Sequence, residues 1–411
     1  MQIARRFSLL PSLWLLVSLL VILSACAPSV GIFASGTWQA GTLQQAHIRS
    51  FAVDPDNALN VYAGDAQNGV FVSADGGTSW KQQQNGLQPG APINALVFDD
   101  SGKKLYAASD AGVYVSADGA KSWAKVAGLP QDTYTAIAFD LKKTQSIFVG
   151  SEQHGIFASS DSGATWSAAT SGLPANLSIH GLVFDSDAHQ LWAATSMGVY
   201  RSPDGGASWQ ALNSGLPAGV TVYTVLPASM EGGAQGLIYA GTNKGFFLSQ
   251  DSAAHWHTSQ VPLTNISVYS VLIDIHTVTT VYIATNIVGI LRSPDSGENW
   301  GRVASGLPSH QTVYAIAQGA ANYDQLFVAI NNIYLYPGTN SIFDPTRLLP
   351  FLLIIVFFYL LIRMSSRRRH ASRNMLKPER IIDPEDAPST GETNTFPASS
   401  EYNSDKSGQD I

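Results

Sequence analysis

The chain has 411 residues, enough for several domains, and its 36 glycines and 45% apolar content suit many short strands joined by turns. From Gly31 to Thr346 there are twelve Lys and Arg against twenty-two Asp and Glu, a formal charge of −10 that repels a phosphate backbone and argues against nucleic acid as a partner. The single cysteine, Cys26, leaves no internal disulfide to staple the fold.

At the N-terminus, Arg5 and Arg6 precede an apolar run from Phe7 to Ile22 that ends in Leu23-Ser24-Ala25-Cys26. Residues 1–25 read as an export signal. The last four residues of the run resemble a bacterial lipobox, which would make Cys26 the lipidated first residue of the mature protein. The competing reading is an uncleaved signal anchor, for which a run of about 18 residues is barely long enough. Both readings put the following domain outside the cytoplasm.

Seven segments then share one pattern: Ile48 to Asp54, Ile93 to Asp99, Tyr134 to Asp140, Ile179 to Asp185, Val222 to Ala228, Val268 to Asp274 and Val313 to Gly319. Each is predicted to be the first strand of a repeat. Their third positions (Ser50, Ala95, Ala136, Gly181, Thr224, Ser270 and Ala315) are all small, as needed where strands converge on a crowded axis. A second strand follows each one, as in Leu105-Tyr106-Ala107-Ala108. Turns such as Gly128-Leu129-Pro130 and Gly215-Leu216-Pro217 carry the chain from one repeat to the next.

Between the third and fourth strands lies a turn of pattern S-x-D-x-G-x-x-W. Its copies begin at Ser73, Ser116, Ser159, Ser202, Ser249 and Ser293, 43 to 47 residues apart, a period that points to propeller blades. A short acid beside glycines suits a tight turn, and the tryptophan supplies an apolar body to lock the hairpin onto its neighbour. The fifth copy has Ala253-Ala254-His255 where glycine is usual, so a looser turn is expected there, and His255-Trp256-His257 reads as a surface turn.

These turns resemble the Asp-box, or BNR, repeats of sialidases, sortilins, xyloglucan-specific endoglucanases and the photosystem II assembly factor family. The resemblance implies a β-propeller in which Asp75, Asp118, Asp161, Asp204, Asp251 and Asp295 are scaffold, away from any ligand. The photosystem II assembly factor family is similar in blade number and in its exported N-terminus. Sortilin-like receptors share the order propeller, membrane span, tail.

Seven first strands accompany only six boxes, and the seventh repeat stops after Ile333-Tyr334-Leu335-Tyr336. Gly36-Thr37-Trp38-Gln39-Ala40-Gly41 supplies the missing fourth strand, with Trp38 in the place of a box tryptophan. The expectation is therefore an all-β, seven-bladed β-propeller over residues 31–341, closed by an N-terminal strand that hides its sheet edges. Beyond it, the apolar run from Leu348 to Ile362, flanked by Arg347 and Arg363, reads as one C-terminal transmembrane helix over residues 347–364. Arg367-Arg368-Arg369 places residues 365–411 in the cytoplasm, and the polar composition there predicts a disordered tail.

Ligands of propellers meet the face where first strands begin. The second positions of the seven first strands (Arg49, Asn94, Thr135, His180, Tyr223, Tyr269 and Tyr314) are predicted to ring the channel mouth there. They read either as an aromatic and cationic platform for a peptide or sugar, or as good strand formers packed between blades. The same face should carry Asp65, Asp110, Asp132, Glu152 and His154 in loops, and two carboxylates at the right separation would suit glycoside hydrolysis. Arg201 and Arg292, just before boxes, read as scaffold. No catalytic residue, cofactor or metal site is nominated. The sequence thus points to a membrane-tethered extracytoplasmic module that binds a protein or peptide or assists assembly of a membrane complex. The alternative is an Asp-box protein that binds or cleaves a glycan.

Overall fold

Each repeat folds into a four-stranded antiparallel blade, because its apolar strands alternate with short turns that reverse the chain. The computed structural model describes residues 38–336, apart from 44, 100, 144, 186–187, 260–262, 264, 304–305, 309–310 and 320–324. The expected signal, Cys26, the span at 347–364 and the tail lie outside the described residues. Among the described residues no helix is long and apolar enough to cross a membrane.

Blades 1 to 6 begin with the inner strands Ile48–Val53, Ile93–Phe98, Tyr134–Phe139, Ile179–Asp185, Val222–Pro227 and Val268–Ile273. Each runs outward through three further strands in chain order. Blade 7 takes its inner three strands (Ala315–Gly319, Gln325–Ala329 and Ile333–Tyr336) from the C-terminal side and its outer strand, Gln39–Ala40, from the N-terminal side. Gln39 pairs with Leu335 and Ala40 with Tyr334, so the predicted closure is present. Trp38 stands in the slot of a box tryptophan. Its Nε1 donates to Val303 O at 3.2 Å, the counterpart of the bonds from Trp209 Nε1 to Ala169 O and from Trp256 Nε1 to Leu212 O.

The core is divided into seven apolar clusters, one between each pair of neighbouring blades. Each second strand contributes one buried aromatic residue to these clusters: Tyr62, Tyr106, Phe148, Trp192, Tyr239, Tyr282 and Phe327. Several meet an aromatic ring of the next blade's inner strand, as Phe148 stacks on Phe184 with centroids 5.4 Å apart. Arg201, from the third strand of blade 4, lies over the Trp192 ring at 5.6 Å, and Arg292 donates to Thr280 Oγ1 at 3.3 Å, so both arginines engage the scaffold.

The six boxes have one geometry. In the third, Ser159 Oγ donates to Asp161 Oδ1 at 2.7 Å, while Asp161 accepts from Thr165 N at 2.8 Å and from Thr165 Oγ1 at 2.5 Å. The looser turn expected in the fifth copy is not found. Ala253 N donates to Ser249 Oγ at 2.9 Å and His255 N to Asp251 Oδ1 at 2.9 Å, and the His255 ring takes the place of the usual hydroxyl at 2.8 Å. Ser252 and Ala253 adopt the left-handed conformation at φ 59° and 66°. The side-chain bonds of the box thus hold the turn even without glycine.

Hydrogen bonds from the neighbouring serine, threonine or histidine side chains and from backbone N–H groups lower Asp118, Asp161, Asp204 and Asp251 from the usual 3.8 to about 2. Because these folded values lie below the unfolded one, their stabilisation is complete above about pH 4 and is lost as pH falls through about 2. The melting temperature is expected to hold from neutral pH to about 5 and then fall. Scanning calorimetry of wild type against Asp161→Asn checks this, and an equally steep acid fall in the variant would contradict the box as its source.

Candidate ligand-binding face

The structure brings the seven second-position residues to one mouth of the central channel, and the backbone explains how. In blades 1 to 6 the inner strand carries a β-bulge at this position: register shifts between Ile48 and Ser50, Ile93 and Ala95, Tyr134 and Ala136, Ile179 and Gly181, Val222 and Thr224, and Val268 and Ser270. A bulge inserts one residue unopposed by the partner strand and re-aims its side chain. In blade 7 Tyr314 immediately precedes the inner strand, its N donating to Ala329 O at 3.2 Å.

The ring has two halves. In blades 1 to 3 the polar side chains bind one another and the backbone. Arg49 Nη1 donates to Asn94 Oδ1 at 2.7 Å, and Asn94 Nδ2 donates to Asp110 Oδ1 at 2.8 Å and to Tyr134 O at 2.9 Å. Thr135 Oγ1 donates to Ile179 O of the next blade. In blades 4 to 7 four rings follow one another around the axis. Centroids of His180 and Tyr223 lie 5.8 Å apart, those of Tyr223 and Tyr269 4.9 Å, and those of Tyr269 and Tyr314 5.4 Å.

Electrostatics follows from this packing. Burial lowers the His180 pKa, and Nε2 is buried without a partner, so the imidazole is neutral at neutral pH. Burial first, then the neighbouring Tyr223, raises the Tyr269 hydroxyl. Tyr314, at the open end of the row, is 49% exposed, and Arg49 of the adjacent blade 1 is exposed too. Met197 and Ile287 stand exposed on the second-to-third-strand loops of blades 4 and 6, on the aromatic side of the same face. The sequence reading missed these two, although both lie in loops whose position the repeat makes plain.

The loop acids divide. Asp65 is fully buried and accepts from His47 N, Gln67 N, Asn68 N and Asn68 Nδ2 at 2.6 to 2.9 Å. It ends the second strand of blade 1 at the position held by Ser109, Ser151, Thr195, Thr242 and Thr285 in blades 2 to 6, whose hydroxyls donate into the same turn. A hydrogen-bonding residue at the end of the second strand in blades 1 to 6 is the signal that would have revealed this role. Asp132 is also buried, and burial alone would raise its carboxyl. The His154 ring at 2.7 Å, with bonds from Ser151 and from the backbone N–H groups of Thr133 and Gln153, outweighs that and lowers it. Asp110 meets Asn94, and Glu152 is exposed. Among the described residues no three His, Cys, Asp or Glu side chains are placed to hold a metal ion.

No protein-family profile matches the sequence, and no curated protein matches it. Solved structures do. The chain is similar to the extracellular domain of the hybrid two-component system BT4673 from B. thetaiotaomicron, with 16% identity and a TM-score of 0.61, over 73% of this chain and 40% of that one. YCF48 from Cyanidioschyzon merolae matches with 15% identity and a TM-score of 0.56, over 73% and 98%. YCF48 bound to a D1 peptide has 18% identity and a TM-score of 0.56, over 74% and 97%. The GH74 xyloglucanase from Xanthomonas campestris has 15% identity and a TM-score of 0.55, over 73% and 53%. The matched proteins thus include kinds that the Asp boxes resemble, and at these identities the likeness concerns the fold: the chain is a seven-bladed β-propeller.

Proposed function

We propose that the channel mouth binds a peptide or protein segment outside the cytoplasm, in a chain tethered to the membrane by the Cys26 lipid and the helix from Leu348 to Ile362. The observation that carries this reading is the row His180, Tyr223, Tyr269 and Tyr314, beside exposed Met197 and Ile287 and ending next to Arg49. Neighbouring rings are tilted against one another at 57°, 44° and 37°, the first three half-buried and Tyr314 at the open end the most exposed. Apolar groups with few polar anchors suit an extended peptide. That one YCF48 structure holds a D1 peptide, and that BT4673 contributes an extracellular domain, agrees with this role for the fold.

Affinity capture from membranes with the ectodomain as bait tests the proposal. Tyr314→Ala and Arg49→Ala are each expected to weaken capture about tenfold or more, since anchor truncations cost about 2 kcal/mol. Lys81→Ala, on the outer strand of blade 1, should leave capture unchanged. Glycan cleavage has less support, because Asp65 and Asp132 are occupied by backbone and histidine donors. Release of reducing sugar from polysaccharides or sialosides that disappears in Asp110→Asn would overturn the binding-only reading.

A further inference from the structure

The two described ends of the chain leave the propeller together. The rings of Trp38 and Tyr336 pack with centroids 5.1 Å apart, where the third strand of blade 7 ends and its outer strand begins. Strand alternation puts that point on the face opposite the ring, where every inner strand also ends. The loops joining first to second strands share this face and are tied to the box turns: Gly76 N donates to Leu59 O at 2.9 Å, and Ser296 N to Thr279 O at 2.7 Å.

Large exposed apolar residues among those described divide between the two faces, leaving the outer wall without any. Met197, Ile287 and Tyr314 flank the ring, whereas Leu59 (46% exposed), Leu141 (59%), Met230 (36%) and Ile275 (43%) stand on first-to-second-strand loops of blades 1, 3, 5 and 6. Asp140 accepts from Lys142 N at 3.0 Å and Asp274 from His276 N at 2.9 Å, which sets the turn and leaves the intervening Leu141 and Ile275 outward. Lys142 and Lys143 follow Leu141 directly, and such long stems can lie along an apolar boundary with their heads in water.

Chain length supplies the occupant. Eleven residues lie between Cys26 and Trp38, and eleven between Tyr336 and Leu348, each a reach of about 40 Å at full extension. On the reading above, on which this inference rests, both ends are tethered to one membrane. A body held from one face by two short tethers turns that face to the bilayer. We infer that the face opposite the ring is a lipid-docking surface, with Leu59, Leu141, Met230 and Ile275 seated at the headgroup boundary and the ring directed away from the membrane.

The test uses the full chain in phosphatidylcholine vesicles. An environment-sensitive fluorophore is placed singly at Leu59→Cys, Leu141→Cys or Ile275→Cys, and at Met197→Cys or Ile287→Cys on the ring face. The parental chain, carried through the same labelling, is the blank for Cys26. With nitroxide-bearing acyl chains as quencher, the first three labels are expected to be quenched several-fold more than the last two. Equal quenching on both faces, or none on either, overturns the docking surface while leaving the tethers intact. Self-quenching that disappears as protein is diluted in lipid would overturn it in favour of a second copy. A chain that fails to float with the vesicles refutes the tether reading, and the docking surface with it.

Discussion

Trp38→Ala is expected to lower the melting temperature of the propeller as much as Trp209→Ala or Trp256→Ala does, although Trp38 lies 265 residues from Val303, the residue that accepts its indole bond. The side chain is 4% exposed and packs among Ile290, Val303, Ile316, Leu326 and Tyr336, closing the gap between blades 6 and 7. Truncating a buried tryptophan costs about 3 to 5 kcal/mol, a large share of the about 5 to 15 kcal/mol that separates folded from unfolded states. The variant also loses the residue that aligns Gln39 and Ala40 on the third strand of blade 7, exposing that strand's edge. Thermal melts of the three variants side by side are the measurement. A melting temperature unchanged in Trp38→Ala alone would mean that the ring closes without it.

A second large effect is expected where successive blades touch backbone to backbone. Gly215, in the turn that leaves blade 4, has φ +91°, and a Cβ there would lie 2.1 Å from the carbonyl oxygen of Trp256 in blade 5. Gly306 stands in the same relation to Trp38, with 2.7 Å to its oxygen. Neither backbone can retreat, because Trp256 N donates to Ser214 O at 2.8 Å and its indole is buried. Gly215→Ala therefore combines left-handed strain of about 1 to 2 kcal/mol with overpacking of about 1 to 3 kcal/mol. Four residues on, Gly219 has φ +67° but a Cβ there would meet nothing within 4 Å, so Gly219→Ala should show the strain alone. Denaturant titration of both variants separates the two contributions, and equal losses would show that the blade contact at Gly215 yields.

What the amino-acid sequence determined by itself was the repeating frame. Six box turns, seven first strands with a small third residue, and a tryptophan stranded before the first blade define blade number and closure, because each is a local chemical need that recurs about every 44 residues. The box turn is so fully specified by Ser249, Asp251 and His255 that it forms even over Ala253. The second-position residues were also legible as a ring. Only the tertiary structure decided what that ring is. Arg49 reaches Asn94 across 45 residues and Thr135 reaches Ile179 across 44, so one half of the ring is internally bonded and the other is a row of aromatic rings. The burial of Asp65 and Asp132, the bulge beneath six of the seven ring side chains, and the exit of both described ends from one face were likewise set by how blades close upon one another. A carboxylate, a strand end or a tyrosine takes its role from neighbours in the next blade or the adjoining loop, and those neighbours are assigned by ring geometry, which no single repeat contains.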